Sequence, residues 1–391
     1  MNIDSDISVA ASIITLVLFA YWCIPMLRRH QVAVLGLTSV ILLSLVSPRT
    51  VVIPLFGGVV TFYLGRHLRT HRSGRTLLQM LLVPLAILLT YRYLFPAAEN
   101  AGWIEKAVIP LGLSYYTFKQ LHFLLESHRG NFEDATLGSF LAYLFYFPMF
   151  IAGPIERYGA FKAQISAPET RKSPDISLAL ERIASGLIKK LLISDILLAP
   201  LIPDDLTSDE LLAMDWHQLV LISLIKFLRI YMDFSGYTDI AIGLSLLFGI
   251  RLMENFNYPL RQKNLADFWR AWHISLSGWA RDYIYFPALG RWRTPSIALV
   301  LTMLTIGAWH SLSPGWLLWG LHHGIGLALL AYYHRKVRRY KTWRSVMQTR
   351  TWGYLGMVSV WFYVSIGHAL TFFPEDIGFS LKLYAQIWGI K

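Results

Sequence analysis

PGWLLWGLHHGIGLALLAYY, residues 314–333, is an uncharged, largely apolar run of 20 residues interrupted only by the paired His322 and His323. A helix of roughly 17–25 such residues crosses a hydrocarbon core about 30 Å thick. The run ends on His334, Arg335 and Lys336, a basic edge of the kind that stays at a membrane surface. His323 lies nine residues past Pro314, about 14 Å along a helix that rises ~1.5 Å per residue, hence near mid-depth. A polar ring at that depth faces protein or water, because exposure to lipid is costly. Neighbouring helical residues point about 100° apart, so only one of the two histidines can face a shared site.

Working outward, comparable runs recur near 7–27, 31–47, 51–65, 76–95, 107–125, 136–153, 178–201, 217–233, 236–253, 295–312 and 352–373. The chain is 55% hydrophobic and 15% charged, where soluble domains carry roughly 25% charged residues; its mean hydropathy is +0.45. The expected class is all-α: a polytopic transmembrane helical bundle of about ten to twelve spanning or re-entrant helices. No internal repeat, linker or composition shift divides residues 1–391, so one transmembrane domain is expected. The polar stretches 155–176 and 202–216 read as extramembrane loops, the second with room for a short surface helix. Asp4 and Asp6 replace the basic start of a cleaved signal peptide. With Cys23 as the only cysteine, no intrachain disulfide is expected.

Basic residues orient the chain. Arg28 and Arg29 follow the first run, Arg66, Arg69, Arg72 and Arg75 follow the third, and 334–350 holds seven Lys or Arg with no acid. Placing all of these in the cytoplasm puts the N-terminus outside a cytoplasmic (inner) membrane. Membrane topology and anionic lipid account for the net charge of +12. Nucleic-acid binding is not expected, since the basic loop lacks aromatic interleaving on a folded platform.

Other ionisable residues stand in apolar surroundings. DFWRAWHISLSGWARDYIY (267–285) carries Asp267, Arg270, His273, Arg281 and Asp282; GAWHS carries His310, nearer the outer face; YMDFSGYTDIAIG carries Asp233 and Asp239. Each has a plain reading. A lone intramembrane histidine can be an interhelical hydrogen-bonding group worth about 1 kcal/mol, which is the favoured reading of His322. Trp272, Trp279, Trp309, Trp316 and Trp319 suit packing or an interfacial belt. Asp233 and Asp239 suit pairing with arginines or capping of a broken helix, with Gly236 between them at a bend. Arg270, Arg281 and Asp282 suit interfacial ion pairs.

Taken together, the segments resemble a family. IPLGLSYYTFKQLHFLLESHRG (109–130), FPMFIAGPIERY (147–158), YMDFSGYTDIAIGLSLLFGIRLMENFNYPL (231–260), DFWRAWHISLSGWARDYIY (267–285), GAWH (307–310) and WGLHHG (319–324) occur in the order found in membrane-bound O-acyltransferases. The likeness is to the bacterial branch that O-acetylates alginate or D-alanylates teichoic acid, and it covers over half the chain. It implies helices around a central pore lined by His323 of WGxxHG, with His273 a second polar position and His310 a third. Arg270, Asp233, Asp239, Asn255, Trp272 and Ser275 become candidates for lining the substrate path. The chain departs from the family pattern at Ser311, where glycine is usual. It departs again at Glu126-Ser127-His128, where an aspartate and an aromatic usually precede Arg-Gly.

The chemistry fits that resemblance. Acyl transfer to an alcohol needs a base for the hydroxyl proton, and imidazole, with an ordinary pKa of about 6.5, is suited to it. The expected catalytic pair is His323 as general base, with His273 or Arg270 orienting the donor or stabilising the oxyanion. No tightly bound cofactor and no metal site is expected, because the histidines lack a tight ligand spacing on one helix. The resemblance implies a cytoplasmic thioester donor as co-substrate (acetyl-CoA or an acyl or aminoacyl carrier protein) and an extracytoplasmic polymer hydroxyl as acceptor. A separate extracytoplasmic transferase or esterase-like partner is also implied. Acetyl is favoured by YMDFSGYTDIAIG and ENFNYP; the alternative is D-alanyl transfer, which the compact length favours. A proton-coupled transporter built on the same histidines would call for an inverted repeat, which the sequence lacks.

Overall fold

The computed structural model describes residues 3–46, 49–103, 112–150, 153–166, 174–203, 206–337, 340, 345–347 and 349–389. Among these the chain is all-helical, with an isolated bridge between Phe256 and Trp272 and no strand. The first helices are α1 (Ile3–Cys23), α2 (Gln31–Val46), α3 (Arg49–Thr70), α4 (Gly74–Leu89, continued by π-helical Thr90–Leu94 and by Phe95–Asn100), α5 (Leu113–His128) and α6 (Leu137–Phe145). Next come α7 (Tyr158–Ser166), α8 (Ile176–Leu187, continued by π-helical Ile188–Leu198), α9 (Ser208–Ala213) and α10 (Trp216–Leu247). The C-terminal part holds α11 (Leu265–Ala271), α12 (Ile274–Ala280), α13 (Phe286–Trp292), α14 (Pro295–His310), α15 (Pro314–Val337), α16 (Arg350–Ala369) and α17 (Ile377–Ile387).

The two runs expected at 217–233 and 236–253 form one helix, α10, of 32 residues. No proline interrupts it, and Gly236 has another use. A Cβ there would stand 2.8 Å from the Gly186 carbonyl oxygen and 2.9 Å from the Lys190 nitrogen, so the glycine admits a neighbouring backbone instead of marking a break. Among the described residues, Val51–Thr70 and Gly74–Asn100 are long and apolar enough to cross a membrane by themselves; Ala11–Cys23, Gln31–Leu45 and Pro295–His310 are shorter apolar helices. The histidines, glycines and tryptophans of α15 dilute its apolar character although its length suffices.

Part of the loop expected at 155–176 is helical: Tyr158, Phe161 and Ile165 recur at helical spacing and are buried. The short helix anticipated within 202–216 is α9, opened by a capping box in which Thr207 and Glu210 satisfy each other's backbone N–H. Residues 104–111, 167–173 and 204–205, and 338–339, 341–344 and 348 of the basic stretch, lie outside the described residues. The last turn of α15 carries His334, Arg335 and Lys336.

Two compact units are distinguished by their internal contacts: 1–184 with 239–253, and 185–238 with 254–391. The first is built around rings: Phe62, Phe123, Phe140, Tyr143, Tyr158 and Phe161 are buried together. A deeply buried lysine, Lys119, donates to the carbonyl oxygens of Tyr143 (3.1 Å) and Leu144 (3.3 Å). Asp239 belongs to this unit, where Arg182 holds it at 2.8 Å. That pairing is the plain reading of the aspartate.

The second unit rests on a hairpin of α14 and α15, joined by Ser311–Ser313. A Cβ at Gly320 would lie 2.6 Å from the Met303 oxygen and one at Gly324 2.8 Å from the Val300 Cα, so the two backbones touch along this face. Below it, α16 and α17 pack with α9 and the start of α10 through Ile366, Ala369, Phe379, Leu383, Leu211, Leu219 and Ile222. Histidines on the remaining faces of α15 are thereby turned toward α11 and α16.

Candidate active site

His323 is fully buried, at 0% exposure, in the second unit. Trp319, one turn earlier on α15, lies 4.6 Å away between ring centroids, and Trp269 of α11 lies 5.1 Å away, edge to face. Tyr363 of α16 closes a further side at 5.8 Å. On the same helix an ideal Cβ at Gly367 would stand 3.0 Å from His323 Nε2, so only glycine lets α16 pass so close. Neither His323 ring nitrogen has a hydrogen-bond partner among the described residues.

His322 contrasts with its neighbour. Its Nδ1 meets the Tyr384 hydroxyl at 2.8 Å, its Nε2 meets the Tyr363 carbonyl oxygen at 3.0 Å, and its ring stacks on Tyr363 at 4.0 Å. The Tyr363 hydroxyl donates back to the His322 carbonyl. With both nitrogens satisfied, His322 brackets α15 to α16 and α17 and leaves His323 to face outward from that bracket.

An aromatic relay joins the three histidines singled out in the sequence. His310, ending α14, stacks on Trp316 at 4.3 Å and meets Trp319 at 5.7 Å. Trp309 lies 4.5 Å from His310 and 6.0 Å from His273. So His273, His310 and His323 are linked through Trp309 and Trp319.

His273 sits at the N-cap of α12 with φ 44° and ψ 53°, the left-handed region that a non-glycine residue enters only when its surroundings hold it there. The hold is visible. The Asn255 carbonyl accepts from Ile274 N (2.9 Å), and Asn255 Oδ1 accepts from Ser275 Oγ (2.6 Å). Asn255 Nδ2 donates to Thr238 Oγ1 (3.3 Å), and Asn257 N donates to Ala271 O (2.9 Å). Asn255 and Ser275 are both 0% exposed, and their polar atoms serve this staple. Trp272 is packed among Phe227, Tyr231, Phe256 and Phe268. His273 Nε2, beside the edge-on ring of Phe234, has no hydrogen-bond partner among the described residues.

Two charged candidates lie apart from His323. Arg270 is exposed and pairs with Asp267, while the preceding residue, Trp269, carries the contact with His323. Asp233 is half-exposed and pairs with Lys190, which also holds Asp195. Among the described residues no three His, Cys, Asp or Glu side chains converge as a metal-holding group.

His368 is a further buried histidine of this unit, outside the motifs described above. It is buried on α16, stacks on Phe227 at 5.7 Å, lies 6.3 Å from Trp319, and leaves Nδ1 unpartnered. Its signal was present: a histidine inside the apolar run 352–373 deserves the same suspicion as His323. The unit therefore gathers unpartnered buried atoms on His273, His323, His368, Trp269 and Trp319. Each such atom costs about 1–3 kcal/mol, and native proteins keep few of them. Of these, Trp269 and Trp319 carry rings that touch the His323 ring directly.

The model of the membrane-bound O-acyltransferase family matches residues 5–373. A probable alginate O-acetylase, AlgI, of Pseudomonas aeruginosa is 33% identical over 302 residues, covering 70% of this chain and 56% of that protein. The peptidoglycan O-acetyltransferase of Helicobacter pylori is 32% identical over 264 residues (60% and 49% covered), and the teichoic acid D-alanyltransferase of Bacillus subtilis 30% over 250 (59% and 61%). The chain thus spans about half the length of the curated relatives it matches.

Proposed function

Because the chain belongs to the membrane-bound O-acyltransferase family, we propose that it moves an acyl group, acetyl by preference, from a cytoplasmic thioester to hydroxyls of an extracytoplasmic envelope polysaccharide. As a member of that family it is an integral membrane protein. In this reading His323 is the general base. The observation that carries it is an imidazole with no solvent exposure and, among the described residues, two unpartnered nitrogens, beside a tryptophan, Trp319, that also meets His310 and His368.

The base needs no activation. A neutral imidazole takes the acceptor's proton as the hydroxyl oxygen attacks the thioester carbonyl, and the same proton then leaves with the thiol. His322 fixes the helix behind it, and Gly367 lets α16 close on it. The reading also includes ten to twelve helices around a central pore, an N-terminus outside the cytoplasmic membrane, and a separate extracytoplasmic transferase or esterase-like partner. Arg270, exposed and paired with Asp267, suits reception of an anionic donor at the surface better than chemistry at the base.

Acetyl is preferred over D-alanyl because of the motifs 231–243 and 254–259 and because the two O-acetylating relatives, at 33 and 32%, slightly exceed the D-alanylating one at 30%. The test is His323→Ala in cells fed labelled acetate or labelled D-alanine, followed by mass analysis of the envelope polymer. Label from acetate should disappear from the polymer while the protein stays at its normal level. Ester formation that survives the substitution removes the base, and label from D-alanine alone changes the donor.

A further inference from the structure

Trp269 and Trp319 are 8% and 4% exposed, and each has an indole N–H sealed from solvent with no acceptor among the described residues. An indole nitrogen donates and cannot accept, so each is an unused donor. Their rings meet edge to face at 5.6 Å and flank the His323 ring at 5.1 and 4.6 Å. Trp361, in the same unit, has an acceptor: its N–H donates to the Leu260 carbonyl oxygen at 2.7 Å. Two idle donors beside one idle base define a chemical demand.

We infer that Trp269 and Trp319 are catalytic, their N–H groups donating to the carbonyl oxygen of the acyl thioester as it becomes an oxyanion. The inference rests on the reading of His323 as base. Three polar groups take part in the reaction: the attacking hydroxyl, the carbonyl oxygen and the sulfur. The hydroxyl gives its proton to His323, the one acceptor of the trio. The carbonyl oxygen is the strong acceptor that remains, and donors are what surround it.

The step balances. The hydroxyl oxygen bonds to the carbonyl carbon as its proton passes to an imidazole nitrogen. The C=O π pair moves onto oxygen, where the two indole N–H groups hold it. The pair then returns to restore C=O, the C–S bond breaks with its electrons on sulfur, and the imidazolium proton goes to the thiolate. Ester and thiol leave and neutral His323 is regenerated. Because an N–H binds an oxyanion more strongly than a neutral carbonyl, the donors raise kcat more than they lower KM.

The experiment uses the full chain in native membranes, with acetyl-CoA and an alginate oligosaccharide as probes. Trp269→Phe and Trp319→Phe remove one donor each and keep a ring. Each should lower kcat roughly 10²–10³-fold, the size found when an oxyanion donor is lost, with KM within about threefold. Since phenyl is smaller than indole, Trp319 is also replaced by the sulfur isostere β-(3-benzothienyl)alanine, which keeps the shape and deletes only the N–H. It should show the same loss. Trp361→Phe serves as control: it should lower thermal stability and leave kcat unchanged.

An isostere variant with wild-type kcat overturns the inference, as do Phe variants whose loss lies in KM or in protein yield. The parent reading fails separately: that outcome is acyl transfer by His323→Ala, whatever the tryptophan variants do.

Discussion

Gly367→Ala places one methyl group between the two histidines of α15. The new carbon would lie 3.0 Å from His322 Cδ2, 3.0 Å from His323 Nε2 and 3.3 Å from His322 Nε2. Contacts that tight oblige a neighbour to give by a few tenths of an ångström, and the two rings differ in freedom to do so. His322 is held at both nitrogens by Tyr384 and Tyr363 and is stacked on the Tyr363 ring; no hydrogen bond holds His323. His323 is therefore the ring that turns. Overpacking of this kind costs about 1–3 kcal/mol, and helix propensity returns roughly 0.5–1 kcal/mol of it on exchanging glycine for alanine. Net destabilisation should stay near 1 kcal/mol. The effect on chemistry should be larger in proportion, because about 1 Å of misplacement can cost 10²-fold; a few tenths should cost roughly tenfold in kcat. The assay is acetyl transfer per folded molecule, with protein level and thermal stability measured alongside. Gly290→Ala is the comparison, since a Cβ there meets nothing within 4 Å. Wild-type kcat in Gly367→Ala, or a loss that merely tracks yield, would refute the placement of the base against α16.

Two further substitutions separate scaffold from chemistry. His322→Leu strands the Tyr384 hydroxyl and the Tyr363 carbonyl and should cost about 2–3 kcal/mol, seen as lower thermal stability, with kcat per folded molecule within about threefold of wild type. A collapse of kcat at unchanged stability would make His322 the working histidine instead. Ser275→Ala removes one donor to Asn255 and should cost about 1 kcal/mol, whereas Asn255→Ala loosens Ser275 and Thr238 together and should cost about 2–3 kcal/mol. The ordering by chemical denaturation is the check, and equal costs would show that the staple does not act through Asn255.

The all-helical class was legible because apolar runs of membrane length dominate the composition. The division of those runs was not. A polar interruption at Asp233–Asp239 reads as the end of one helix and the start of another, yet backbone hydrogen bonding carries α10 through it. Lys190 takes Asp233 and Arg182 takes Asp239, and these partners are more than 40 residues away in sequence, beyond the reach of any local pattern. Periodicity recovered α7 only in retrospect, since three buried residues in a polar stretch are a weak signal.

The site divides along a similar line. Composition and depth pick out His323, because a polar ring in an apolar helix stands out wherever it occurs. What distinguishes it from His322 is the absence of a bonding partner, and partners come from α16 and α17. The tryptophans make the point more sharply. Trp319 and Trp361 are alike in sequence context, each an aromatic residue within an apolar helix. One is satisfied by Leu260 and the other is left with an idle donor beside a base. Residue type sets what a group can donate or accept, and packing decides which of those capacities remains unused. His368 carried a sequence signal of the same kind as His323, whereas the idle donors of Trp269 and Trp319 could be recognised only after the helices that isolate them had been placed around His323.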